Sequence, residues 1–167
     1  NDATFGIVAC QFADATLGDP VGVFKQVRRV MKQGGRFVFS VLGTLHENQV
    51  AACLQTTLDA FFPDDPPRFI ADGLHGYANI DRIDDDLTDA GFTDAIYTTV
   101  ELPFVAASAG DVAAAYCLGT ALRTELELRT EGDAEPVVRA VTAALEARFG
   151  FGAIATRMRG QVVSAAG

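Results

Sequence analysis

Phe5-Gly6-Ile7-Val8-Ala9-Cys10, then Asp19-Pro20, then Arg28-Arg29-Val30-Met31-Lys32-Gln33-Gly34-Gly35, then Arg36-Phe37-Val38-Phe39-Ser40-Val41 form an apolar run, a capped amphipathic stretch and a second apolar run. That is the pattern of one βαβ unit. Residues 5–12 are apolar on both faces apart from Gln11, as a parallel strand covered by helices requires, and such a strand needs a neighbour on each edge. Asp19 supplies an N-cap and Pro20 a preset first helical residue, after which Val23, Phe24, Val27, Val30 and Met31 recur at helical spacing. Gly34-Gly35 is expected to end this helix, and 36–42 to return as a buried strand.

Outward from this unit the pattern stays α/β. Val50, Leu54, Leu58 and Phe61 or Phe62 mark a helix over 48–62 that stops before Pro63, and Pro63-Asp64-Asp65-Pro66-Pro67 is a rigid polar turn. Asp72-Gly73-Leu74-His75-Gly76-Tyr77 reads as a mobile loop of the kind that forms a lid. Asp81 is a cap for a short helix carrying Ile83, Leu87 and Ala90, and Asp84-Asp85-Asp86 fits the acidic first turn that a helix dipole favours. Residues 92–102 alternate as a strand that Pro103 should end. Two helices are expected over 109–128 and 135–149, and a last short strand over 161–165. The expectation is one α/β domain over 1–167, with a helical insertion over 104–158 before the last strand. There is no internal repeat or flexible linker.

Composition narrows the function classes. The 167 residues are 49% hydrophobic and carry 13 Lys and Arg against 22 Asp and Glu, a formal charge of -9. That balance argues against a nucleic-acid or membrane-surface partner. Lys25, Arg28, Arg29 and Lys32 cluster only where cations complement a helix C-terminus. Cys10, Cys53 and Cys117 are odd in number and far apart, and read as small hydrophobes and not as a disulfide framework, zinc site or nucleophile. No signal-like segment opens the chain and no run of 18 apolar residues occurs, which points to the cytoplasm. Residue 1 is Asn, so the chain is not expected to start where translation does.

These landmarks together resemble the C-terminal half to two-thirds of a class I S-adenosylmethionine-dependent methyltransferase of the ubiquinone and menaquinone biosynthesis type. The resemblance implies a partial Rossmann-like sheet whose last strand is antiparallel, and makes 5–12 the fourth strand, the segment through Gly34-Gly35 the lead into the fifth, Asp89-Ala90-Gly91-Phe92 the lead into the sixth, and Gly160-Gln161-Val162-Val163 the seventh. Gln33 stands where that family often has proline. It also implies that the glycine-rich cofactor loop, the acid that binds the ribose and the residue beside the adenine all lie before Asn1. Gly150-Phe151-Gly152-Ala153-Ile154-Ala155 fits G-x-G-x-x-A, but it follows a helix and runs toward a strand, the reverse of the context that lets such a loop hold a nucleotide.

Ligands of open α/β sheets sit beyond the carboxyl ends of the strands. By the resemblance, Cys10, Gln11 and Phe12 would approach S-adenosylmethionine, while Leu42, Thr44 and His46 would border a small-molecule methyl acceptor. Histidine is the side chain most often used as a general base, which makes His46 a candidate, but His46-Glu47-Asn48 also suits a helix cap. Methyl transfer relies on in-line positioning and needs no protein nucleophile, so the catalytic residues are left unassigned. No metal is expected. Two functions fit: the substrate-side part of a small-molecule methyltransferase, inactive and without bound cofactor as the isolated chain, or a non-catalytic homologue serving as a binding or self-association module. With the partner of its fourth strand absent, the chain is expected to form a homodimer through the 5–12 edge or the face left uncovered beside it.

Overall fold

The structure is a computed structural model that describes residues 2–12 and 18–167. Two compact units make up the chain: Asn1–Thr44 with Asp72–Glu101 and Arg159–Gly167, and Leu45–Ala71 with Leu102–Met158.

The first unit is built on a four-stranded sheet. Strand β1 (Phe5–Cys10) leads through helix α1 (Pro20–Val30) to β2 (Met31–Leu42), and the sheet is completed by β3 (Thr93–Ala106) and β4 (Ile154–Ala166) in the order β1-β2-β4-β3. The β1–β2 pair is parallel, with Val8 opposite Phe37 and Cys10 opposite Phe39, while β4 runs antiparallel to β2. The parallel pair and crossover helix are what the sequence pattern predicted, and the antiparallel last strand is what the family resemblance implied. Asp19 caps α1, its Oδ1 accepting from the Gly22 amide at 2.8 Å. Every second residue of β2 turns into one core: Phe37, Phe39 and Val41 are buried with Phe24 of α1, Ile83 and Leu87 of helix α3 (Ile80–Asp89), and Val163 and Ala165 of β4. Phe24, Phe37, Phe39 and Phe92 form an aromatic cluster with centroids 4.7 to 5.6 Å apart. Aromatic burial of this kind dominates the stability of a small core.

The second unit is helical: α2 (Gln49–Phe61), α4 (Ala109–Gly119), α5 (Leu122–Arg129) and α6 (Glu135–Phe149). Its core holds Leu54 and Leu58 of α2, Val112 and Cys117 of α4, Leu122 and Leu126 of α5, and Val137, Val141 and Leu145 of α6. Phe62 packs against this core and Phe61 is exposed, which resolves which of the pair faces inward.

Several local expectations are corrected. Helix α1 ends at Val30, not at the glycine pair, because Met31 is already extended, buried and paired with Phe5. From the Phe5–Met31 pair to the Ile7–Arg36 pair β1 advances two residues and β2 five, so the glycines lie in a bulge where Gly34 takes φ +73°. The cap of α3 is Asn79, whose Oδ1 accepts from the Arg82 amide, and Asp81 sits within the first turn. Pro103 does not end β3, which continues to Ala106; β3 is an edge strand, where a missing N–H is tolerated. The helix expected over 109–128 breaks at Thr120, which is extended and whose Oγ donates to the Tyr116 carbonyl and accepts from the Leu122 amide. Strand β4 starts at Ile154, well before 161. Finally, 72–77 is no open loop: a π-helical turn (Phe69–Leu74) leads to His75 and Tyr77, both buried.

Candidate functional site

The carboxyl end of the parallel pair carries most of the residues singled out from the sequence. Cys10 is the last residue of β1, half-buried, and Gln11 stands exposed in the turn after it. Phe12 takes φ +55°, a left-handed conformation costly for a residue with a bulky side chain, and its amide donates to Ser40 Oγ on β2 at 3.0 Å. Backbone strain held by a neighbouring strand is typical of sites where a fold positions something other than itself. Leu42 ends β2 opposite Gly160, and Thr44 follows it, exposed. Cys10, Gln11, Phe12, Leu42 and Thr44 therefore share one end of the sheet in the first unit. His46 is exposed in the short 3-10 turn Leu45–Glu47 of the second unit. Asn48 is the N-cap of α2 but makes no side-chain capping bond to it.

Between Leu42 and Thr44 the Gly43 peptide is tied on both sides. Its amide donates to the Arg159 carbonyl at 2.8 Å, and its carbonyl accepts from Nδ1–H of His75 at 2.7 Å. His75 is only 6% exposed, and burial lowers its pKa more than the bond to Gly43 raises it, so the imidazole is held neutral. Ser40 and His75 are the two supporting residues that sequence reasoning did not place. Ser40 was legible as the one hydroxyl interrupting 36–42; the tie from His75 to Gly43 spans 32 residues and leaves no local signal.

The acids after Ile83 act differently from the expectation of a charged first turn. Tyr77 donates to Asp86 at 2.7 Å and Tyr97 to Asp84 at 2.8 Å, so two carboxylates in the body of α3 receive phenols from outside the helix. Burial, then the adjoining carboxylate, pushes both phenol pKa values well up, and neither serves as an acid near neutral pH. Among the described residues no group of three or more His, Cys, Asp or Glu is placed to hold a metal ion, and no helix is long and apolar enough to cross a membrane. Cys117 is buried and its thiol is pushed up to about 11, as a packing cysteine should be. Gly150 and Gly152 have φ +90° and +108° in a turn from α6 into β4, so the G-x-G-x-x-A match joins a helix to a strand.

With this geometry described, solved structures can be compared. A candidate methyltransferase from Bacillus halodurans superposes on 99% of the chain at 16% identity with a TM-score of 0.54, and the YcgJ protein from Bacillus subtilis on 99% at 12% identity with a TM-score of 0.51. The chain has a methyltransferase-type Rossmann-like fold. It spans 65% and 64% of the lengths of those two proteins. The phosphoethanolamine N-methyltransferase 2 of Haemonchus contortus, solved with phosphomonomethylethanolamine and S-adenosylhomocysteine, covers 99% of the chain at 11% identity with a TM-score of 0.49, and the chain covers 34% of it. No protein-family model matches the chain, and no curated protein matches it in sequence.

Proposed function

We propose that this chain is the substrate-side part of an S-adenosylmethionine-dependent methyltransferase of the ubiquinone and menaquinone biosynthesis type, acting on a small molecule. The observation that carries the reading is the parallel β1–β2 pair whose carboxyl end gathers Cys10, Gln11, Phe12, Leu42 and Thr44, with Phe12 held in a strained conformation by Ser40. Crevices at such strand ends are where open α/β sheets take ligands. The cofactor would bring an activated methyl group on sulfur. What these residues contribute is a wall: Cys10 and Phe12 offer apolar surface and Gln11 a polar amide on the cofactor side, and Thr44 a hydroxyl on the acceptor side. His46 is the candidate base for an acidic acceptor, and a neutral His75 fixes the Gly43 peptide between the two groups. Acceleration by this arrangement rests on positioning and water exclusion.

The described residues fit only part of a cofactor site. Their G-x-G-x-x-A pattern joins a helix to a strand, the reverse of the order that would cradle the amino acid portion. The reading therefore assigns the rest of the cofactor site, and activity, to a longer protein in the cytoplasm. Calorimetric titration with S-adenosylmethionine tests it: no saturable heat with the 167-residue chain, and a saturable, one-to-one isotherm with a form extended at its N-terminus. Tight binding by the short chain alone overturns the assignment of the missing loop.

A second reading, self-association without catalysis, is favoured by a different observation. Strand β1 is a sheet edge whose Phe5 is 50% and Ile7 69% exposed, an apolar border of the kind that recruits another strand. The isolated chain is proposed to dimerise through it.

A further inference from the structure

Away from the sheet, α2 and α6 leave a surface groove of about 420 Å³ lined by Ala52, Cys53, Thr56, Thr57, Ala144, Ala147 and Arg148. The groove lies within the second unit and uses none of the residues assigned above to cofactor or acceptor. Its volume is in the range of small-molecule sites. Three alanine methyls give it apolar walls.

One of the polar groups at its border is a cation without a carboxylate partner among the described residues. Arg139, on the same helix, pairs with Glu135 at 3.3 Å, Arg123 with Glu127, and Arg129 with Asp65 at 3.0 Å, while Arg36 bonds the Ser164 hydroxyl at 3.1 Å. Arg148 has no carboxylate or hydrogen-bond acceptor among the described residues; its guanidinium rests over the Phe149 ring, 5.7 Å from the centroid. The Thr56 hydroxyl likewise has no partner among the described residues, whereas Thr57 donates to the Cys53 carbonyl at 2.8 Å. Burial raises the Cys53 pKa more than Arg148 and Thr57 lower it, so the thiol stays neutral and leaves Arg148 uncompensated.

We infer that the α2–α6 groove binds a small aliphatic monocarboxylate, its carboxylate on Arg148 and Thr56 and its chain along Ala52, Ala144 and Ala147. One guanidinium presents a planar fork that matches one carboxylate. A single unpaired cation balances a single negative charge, which disfavours phosphate dianions, and the alanine walls reward a short hydrocarbon tail by removing its surface from water. Nothing in this inference depends on the methyltransferase reading.

Sodium hexanoate titrated into the isotopically labelled 167-residue chain, followed by amide and arginine side-chain NMR shifts, tests the site. Saturable shifts are expected at Ala52, Thr56, Ala144, Ala147 and Arg148 Nε–H. R148Q should weaken binding by about tenfold or more. A147L, which fills the groove and keeps the charge, should do the same, whereas R139Q leaves affinity unchanged and hexan-1-amine produces no shifts at these positions. Shifts that never saturate, that fall elsewhere, or that R148Q and A147L leave intact overturn the proposal. The spectra themselves report whether each variant is folded.

Discussion

His75 Nδ1–H donates to the Gly43 carbonyl at 2.7 Å, which joins a buried imidazole to the peptide just beyond the last residue of β2. The same peptide is held from its other side by Arg159 of β4. A strand end that would otherwise fray is thus fixed at the point where an acceptor is proposed to lie.

The burial of His75, which outweighs this bond, makes stability depend on pH in a predictable direction. Burial depresses the folded-state pKa of His75 below the 6.5 of an unfolded histidine. Between those two values the unfolded chain binds more protons than the folded one, so His75's contribution is complete above pH 6.5 and is lost as pH falls through the folded-state value. Urea unfolding between pH 5 and 8 should show this decline, and H75Q should flatten it. Identical pH profiles for the two proteins would exclude His75 as the titrating group.

Gly76, next in the chain, has no room for a side chain: a Cβ would stand 2.0 Å from the Asp72 carbonyl oxygen, a backbone atom that cannot step aside. G76A is expected to cost about 1–3 kcal/mol in unfolding free energy. G119A, whose Cβ meets nothing within 4 Å, is the control and should stay within about 0.5 kcal/mol of the parent.

Helix α1 began where its sequence said it would, and the reason is local chemistry. Asp19 accepts from the Gly22 amide and Pro20 presets the first helical residue, so D19A should lose about 1 kcal/mol, measured by thermal or urea unfolding. An unchanged midpoint would mean that water replaces the cap.

Local rules failed where tertiary partners decided. The Gly34-Gly35 pair looks like a helix stop in isolation, but Met31 gains more from burial and from pairing with Phe5 than from a last helical turn, and the glycines bend a strand instead. Pro103 looks like a strand stop, yet at a sheet edge its missing N–H costs little. The early part of β4 was hidden by Arg157 and Arg159, although alternation was there to be read: Ile154 is buried, Thr156 and Met158 are half-buried, and the residues between them are exposed. That Cys10, Gln11, Phe12, Leu42 and Thr44 share one end of the sheet was legible because topology alone puts them there. The bonds from Ser40 to Phe12 and from His75 to Gly43 join distant parts of the chain, and no spacing rule encodes them.

The Ser40 bond bears a direct test. Removing its hydroxyl leaves the Phe12 amide without its acceptor and the left-handed backbone unsupported. S40A should speed hydrogen exchange at Phe12 by about fivefold, the loss of roughly 1 kcal/mol of local protection, while β2 amides paired with β4 keep theirs. Unaltered exchange at Phe12 would show that the conformation is held by other contacts.

Self-association is proposed to occur through the β1 edge. Phe5 and Ile7 are exposed on a strand paired on one side only, and an unpaired, apolar strand edge is a template for a second strand. Two copies meeting edge to edge satisfy the free backbone groups and cover both pairs of side chains, and a two-fold axis allows this without further growth. Light scattering across a dilution series should therefore report a dimer for the 167-residue chain. I7K places a charge at the centre of that edge, where pairing would bury it, and should give a monomer of unchanged helical content. An N-terminally extended form, in which an added strand pairs with β1, should also be monomeric at this edge and indifferent to I7K in its mass. A parent chain that stays monomeric at high concentration, or a dimer that I7K leaves intact, would remove β1 as the interface.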